Sequence, residues 1–209
     1  MIPIVVPGIL CSKTTIDSSQ EHVDPSGQVS MQTSQLSFWT LTLKTIVVHT
    51  ITYFLTGIIA FTLLDYTAQF AEATLATFMR QTSDPIVALG PALQPIRGIL
   101  FALVFYPLRE PLFGQKRGWL IIWLMLVSLG ILSTFAPASG SVEGLIYTTI
   151  PARDQFSGGF LEVLTQSLLL SALLFYWVNH PEKRWLTWLL GVAFVLIVIM
   201  SFMGFWVAR

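Results

Sequence analysis

Charge is what this chain has least of. Asp, Glu, Lys and Arg make up 11% of its 209 residues, where a soluble domain carries about a quarter. So few charges cannot clothe a surface in water, and with 54% apolar residues and a mean hydropathy of +0.72 the solvent must be lipid. Cysteine is nearly absent too: Cys11 stands alone, which excludes an intramolecular disulfide and C-x-x-C redox chemistry. Histidines are few, and none sits in H-E-x-x-H or in H-x-E followed by C-x-x-C. Carboxylates show no ligand spacing, so no metal site is expected and no cofactor is called for. The formal net charge is zero, which gives nucleic acid nothing to bind. There is no P-loop and no Rossmann glycine pattern. The stretch ASGSVEG around Ser139 and Ser141 is not G-x-S-x-G, and no histidine is expected on its side of the membrane to act as base. An enzyme is therefore the less favoured class. No internal repeat points to a transporter of duplicated halves.

What is present is a series of apolar segments behind a polar leader. Residues 1–35 open with MIPIVVPGIL, too short to span and broken by Pro3 and Pro7, and then turn rich in Ser, Thr, Gln and Asp. They are expected to form a flexible tail. Residues 36–209 form the membrane domain, an all-α bundle with spans at about 45–64, 86–108, 119–135, 160–178 and 185–207. Each approaches the roughly 20 residues that cross a hydrocarbon core of about 30 Å. Between the first two, Tyr66, Phe70, Ala73 and Phe78 suggest a short helix on the membrane surface. Between the third and fourth, Pro and Gly punctuation predicts irregular structure, in which Ser141 or Glu143 caps a turn and 144–150 dips back toward the bilayer. The tryptophans cluster near span ends, as an aromatic belt does.

Five spans put the termini on opposite sides. Lys13, Lys44, Arg109, Lys116, Arg117, Lys183 and Arg184 fall on one side, against Arg80, Arg153 and Arg209 on the other. The positive-inside rule then places the N-terminus in the cytoplasm and the C-terminus outside a cell membrane.

The words YFLTGIIAF, LLDY, GPALQPIRGILFALVFYPLRE and SVEGLIYT resemble a group of uncharacterised bacterial polytopic membrane proteins. The likeness covers roughly 48–181. It implies a bacterial membrane setting and carries over no functional residue.

The chain is expected to be arranged around Gly90–Glu110, which holds Pro91, Gln94, Pro95, Arg97 and Gly98 inside an apolar segment. Arg97 would lie about 16 Å below the outer end of its span by helix rise, and an arginine at such depth needs a partner or a wet cavity. Gln94 shares its face at i,i+3. On the fourth span Glu162 and Gln166 share a face at i,i+4, and Glu143 is placed to fold inward. Together these residues predict a polar pocket centred on a buried Arg97, with Glu162 or Glu143 as its counter-charge. Such a pocket would bind or pass a small solute, a lipid headgroup or a proton. The plainer alternative is an accessory or structural subunit whose charges set helix register. A third class is an enzyme acting on a lipid-linked substrate, with Glu143 or Glu162 as acid or base. Pro91 and Pro95 either kink the second span or break it. His49 most simply bonds a neighbouring helix, and its distance from His180 follows no haem motif. The expected partners are membrane lipids, a second copy or other membrane subunits.

Overall fold

A computed structural model describes residues 36–77 and 79–209. The tail expected at 1–35, with Cys11, lies outside the described residues, as does Phe78. The described residues are helical, with no strand among them.

Helix α1, Phe38–Leu63, is the longest. It ends where Asp65 takes a left-handed backbone, φ 46°, and turns the chain. Asp65 then accepts from the Ala68 N–H at 3.3 Å and caps α2, Tyr66–Ala71. A second short helix, α3 (Ala73–Ala76), follows, so the surface connection is two helical turns broken at Glu72. Asp84 caps α4, Pro85–Ala88, by accepting from Ile86 N–H at 2.9 Å. Its backbone bond and the Arg80 side chain hold the Asp84 carboxyl below the usual range.

The segment expected to cross at 86–108 is divided. The chain bends at Leu89, α5 runs over Gly90–Phe105 with Pro91 in its first turn, and Pro95 is absorbed inside it. Proline suits a first helical turn because the missing N–H has no intrahelical acceptor there. Groups left over at the bend are met from another helix. The hydroxyl of Ser201 accepts from Ala92 N–H at 3.3 Å and donates to the Ala88 carbonyl. Irregular backbone survives at membrane depth only with such partners.

Helix α6 (Arg109–Phe113) makes the next turn. Helix α7 (Gly118–Val127) continues as a π-helical turn over Ser128–Leu132. The following connection folds into α8 (Val142–Tyr147) and α9 (Ala152–Gln155). Ser141 caps α8 as expected, accepting from Gly144 N–H at 2.9 Å. The buried Gln155 ties the connection together: its amide donates to the Ile150 carbonyl at 2.8 Å, and its oxygen accepts from Gly140 N–H at 3.3 Å. Two long helices close the chain, α10 (Gly158–Asn179) and α11 (Arg184–Ala208).

Three helices, α1, α10 and α11, are long and apolar enough to cross a membrane, and α5 and α7 with its π turn are shorter apolar helices. The protein is a multi-pass membrane protein. Its helices alternate in direction. Ile46, His49 and Tyr53 of α1 meet Gly98, Gln94 and Gly90 of α5. Lys44 and Gly57 of α1 meet Trp177 and Glu162 of α10. Trp123 of α7 donates to the Leu164 carbonyl of α10, and Ser201 of α11 meets Ala88 and Ala92.

The centre of the bundle is α1 rather than the Gly90–Glu110 stretch. Helix α1 packs against α5, α10 and α11 at once. The reason is its polar stripe: Thr42, Thr45, His49, Thr52 and Thr56 are all buried. In lipid a helix gains nothing by hiding apolar side chains, so its most polar face turns inward. Each of these threonines donates to a carbonyl of its own helix, such as Thr45 to Leu41 at 2.8 Å. Small residues are buried on the neighbouring helices: Gly98 on α5, Ser167 and Ser171 on α10, Ser201 on α11. Lys44 donates to the Trp177 carbonyl at 2.8 Å and satisfies part of the C-terminus of α10. Trp177 itself is buried and donates to Thr187 at 3.1 Å, so it belongs to the core and not to the aromatic belt.

Candidate functional site

The polar stripe of α1 meets polar groups from three other elements. At mid-helix, His49 is 1% exposed, and its Nε2 lies 3.0 Å from Gln94 Oε1 on α5. The tautomer follows from the next bond. The Gln94 amide nitrogen donates to the Gly90 carbonyl at 3.0 Å, so its oxygen faces the imidazole and His49 Nε2 carries the proton. That leaves Nδ1 as a bare acceptor, and it has no hydrogen-bond partner among the described residues. The neighbouring Thr50 hydroxyl is also fully buried and unpartnered. The Phe101 ring covers His49 edge-on at 5.0 Å. His49 does bond a neighbouring helix, as its sequence setting suggested.

One turn along α1, the Tyr53 hydroxyl lies against Gly90, where an added Cβ would sit 3.1 Å from it. A further turn on, Gly57 leaves space for the Glu162 carboxylate of α10, which would come within 3.9 Å of a Cβ there. Glu162 accepts a hydrogen bond from the Tyr66 hydroxyl at the start of α2. Burial first, and then this carboxylate, push the Tyr66 phenol well above its usual range. The polar groups thus run along one seam from Tyr66 and Glu162, past Tyr53, to Gln94 and His49.

Arg97 was expected to be buried at the centre and paired with a carboxylate. It is instead exposed on α5, and no ion pair or hydrogen bond reaches it among the described residues. Its guanidinium carbon stands 5.9 Å from the centre of the Phe101 ring. The helix phase explains this. Gln94, Gly98, Ala102 and Phe105 face the bundle, and Gly98 is pressed so close to α1 that a Cβ would fall 2.6 Å from Ile46 Cα. With Gly98 fixed inward, Arg97 is swung about 100° aside.

Of the residues singled out from sequence, Gln94 is within the seam, Arg97 at its edge and Glu162 at its end. Gln166 is half-buried one turn further along α10. Glu143 is in the first turn of α8, and nothing joins it to Arg97 among the described residues. His49, Thr50, Tyr53 and Tyr66 were not singled out as members of a site. Spacing alone held the signal for His49: 42, 45, 49, 52 and 56 step by three and four, a polar stripe on one face.

An open apolar hollow of about 510 Å³ on α11, lined by Thr187, Trp188, Gly191, Val192, Val195 and Leu196, shares no residue with the seam. Its chemistry suits lipid chains. Among the described residues no group of three His, Cys, Asp or Glu could hold a metal ion.

No protein-family profile, characterised protein or solved structure matches the chain. Its membrane character therefore stands on its own helices.

Proposed function

We propose that the chain crosses a cell membrane five times and that the α1–α5–α10 seam binds or passes a small polar solute or a proton. The observation that carries this is the buried His49, whose Nε2 is fixed by Gln94 while Nδ1 has no partner among the described residues. An unmet acceptor in so low a dielectric is costly, and a site that receives a hydrogen-bond donor or a proton gives a reason for keeping it. Intramembrane ionisable residues more often mark function than stability alone. Toward Lys44 the Thr45 and Thr42 hydroxyls donate to their own helix. Toward Tyr66 the seam is lined by Tyr53 and Glu162. We place access at the Tyr66 end, where ionisable side chains line the seam.

Five crossings are supported by the alternating helix directions. At 16 residues, α5 is about 24 Å long, and α4 and α6 extend it toward the two surfaces. Lys44, Arg109, Lys116, Arg117, Lys183 and Arg184 gather at one end of the bundle, and Arg80, Arg153 and Arg209 belong to the other. On the positive-inside rule the first end is cytoplasmic, so the seam opens outward.

The test uses purified full-length protein and its His49→Phe and Gln94→Leu variants. Thermal unfolding is followed with a panel of small polar solutes, and proton flux is followed in proteoliposomes loaded with a pH dye. A stabilising solute or a flux above empty liposomes, lost in folded variants, is the expected result. If the wild type responds to no solute and carries no flux, the proposal fails. The accessory-subunit alternative then stands, with the His49–Gln94 bond as a strut between helices. That alternative draws on the threonine stripe, whose hydroxyls serve their own backbone.

A further inference from the structure

We propose that Arg97 is a lipid-binding site, holding the phosphate of an anionic phospholipid against the outer surface of α5. This needs α5 to lie in the bilayer, and it holds whether or not the His49 seam takes a solute.

Arg97 stands seven residues from Gly90 and eight from Phe105, so it is about 10 Å from the near end of its helix by rise. Around it Leu93, Ile96, Leu100 and Val104 are exposed. Its surroundings outside the protein are therefore acyl chains, where a lone guanidinium is unfavourable. The described residues supply no counter-charge, since no ion pair reaches Arg97 among them. The membrane-spanning helices of a second copy offer no unpaired carboxylate either. Along the five apolar helices Glu162 is the one carboxylate, and Tyr66 already donates to it. The anion must then come from the lipid.

A phosphodiester fits the position. The guanidinium carbon stands 5.9 Å from the Phe101 ring centre, and from there an unpaired arginine side chain can extend along the helix toward the headgroup layer at the Gly90 end. The planar fork can give two parallel N–H bonds to phosphate oxygens. The Tyr53 hydroxyl has no hydrogen-bond partner among the described residues, which leaves it able to add a third. An anionic headgroup is favoured because, unlike a choline, it brings no second cation beside the arginine.

The experiment takes the full chain in neutral detergent and measures thermal unfolding with dioleoyl-phosphatidylglycerol, with dioleoyl-phosphatidylcholine or with sodium phosphate. Native mass spectrometry counts retained lipid in parallel. The expected result is a rise of several degrees with phosphatidylglycerol, a smaller one with phosphatidylcholine and none with phosphate. Arg97→Gln should abolish the rise and lose at least one retained phosphatidylglycerol. Arg97→Lys should keep part of both, and it serves as the comparison if Arg97→Gln does not fold. An equal rise in Arg97→Gln, or in Arg97→Lys no smaller than wild type, overturns the proposal. So does an equal rise with free phosphate, which would make the ligand a soluble anion. A dimer that dissociates on Arg97→Gln, with no lipid effect, would assign the charge to a protein partner instead.

Discussion

Replacing Gly98 with alanine should separate α5 from α1 and break the His49–Gln94 bond with it. A Cβ at position 98 would lie 2.6 Å from Ile46 Cα, 3.0 Å from its Cγ1 and 3.1 Å from its backbone nitrogen. Carbon atoms settle at about 3.5–4.0 Å, so the helices must part by about 1 Å. The obstacle is backbone, and no rotamer change relieves it. Overpacking of this kind costs about 1–3 kcal/mol. The same movement takes the His49–Gln94 distance from 3.0 Å to about 4 Å, outside hydrogen-bonding range. An interhelical hydrogen bond in lipid averages about 0.6 kcal/mol. Alanine's better helix propensity offsets up to about 1 kcal/mol, so the expected loss is about 1–2.5 kcal/mol, measured as thermal or denaturant unfolding in a mild detergent. Gly191→Ala is the matched control, since an added Cβ in α11 meets nothing within 4 Å. Its helix propensity should make it neutral or stabilising by up to about 1 kcal/mol. If Gly98→Ala falls within about 0.5 kcal/mol of wild type, the close packing of α1 on α5 is refuted.

Ser201→Ala removes the hydroxyl that serves Ala92 N–H and the Ala88 carbonyl at the bend before α5. It should cost about 1–2 kcal/mol, and unchanged unfolding would show those groups met elsewhere. The Tyr66 phenol is raised, so its contribution to stability is fully present below the ordinary value of about 10 and is lost as pH climbs through the raised folded value. Absorbance at the phenolate band, as wild type minus Tyr66→Phe, should show ionisation displaced upward; a titration near the ordinary value would remove the Glu162 contact. Gln155→Leu should loosen the 140–157 connection, seen as faster amide exchange there with the bundle unchanged, because its amide group bridges Gly140 and Ile150. Cys11, on the expected cytoplasmic side, should react with an impermeant maleimide only in permeabilised cells, and labelling of intact cells would reverse the topology.

Much of the architecture needed only local information. Apolar length and scarce charge establish a multi-pass helical membrane protein, because lipid leaves the backbone little alternative to helices. Ser141 as a cap could be read from short-range hydrogen-bonding rules. The bend before α5 was one of two outcomes those rules allowed for Pro91 and Pro95. Even the importance of α1 was written in the three-and-four spacing of Thr42, Thr45, His49, Thr52 and Thr56, though an apolar segment with scattered threonines looks passive until its neighbours are known. Rotation and neighbourhood are another matter. Gln94 and Arg97 lie only about 60° apart on α5, so either could have faced the interior. The contact of Gly98 with Ile46 sent Gln94 inward to His49 and left Arg97 on the surface. Glu162 could have paired with Arg97 on charge alone, yet the position of α2 gives it Tyr66. Those choices depend on which helix faces which, and that is decided by packing between residues dozens of positions apart, where no local pattern reaches.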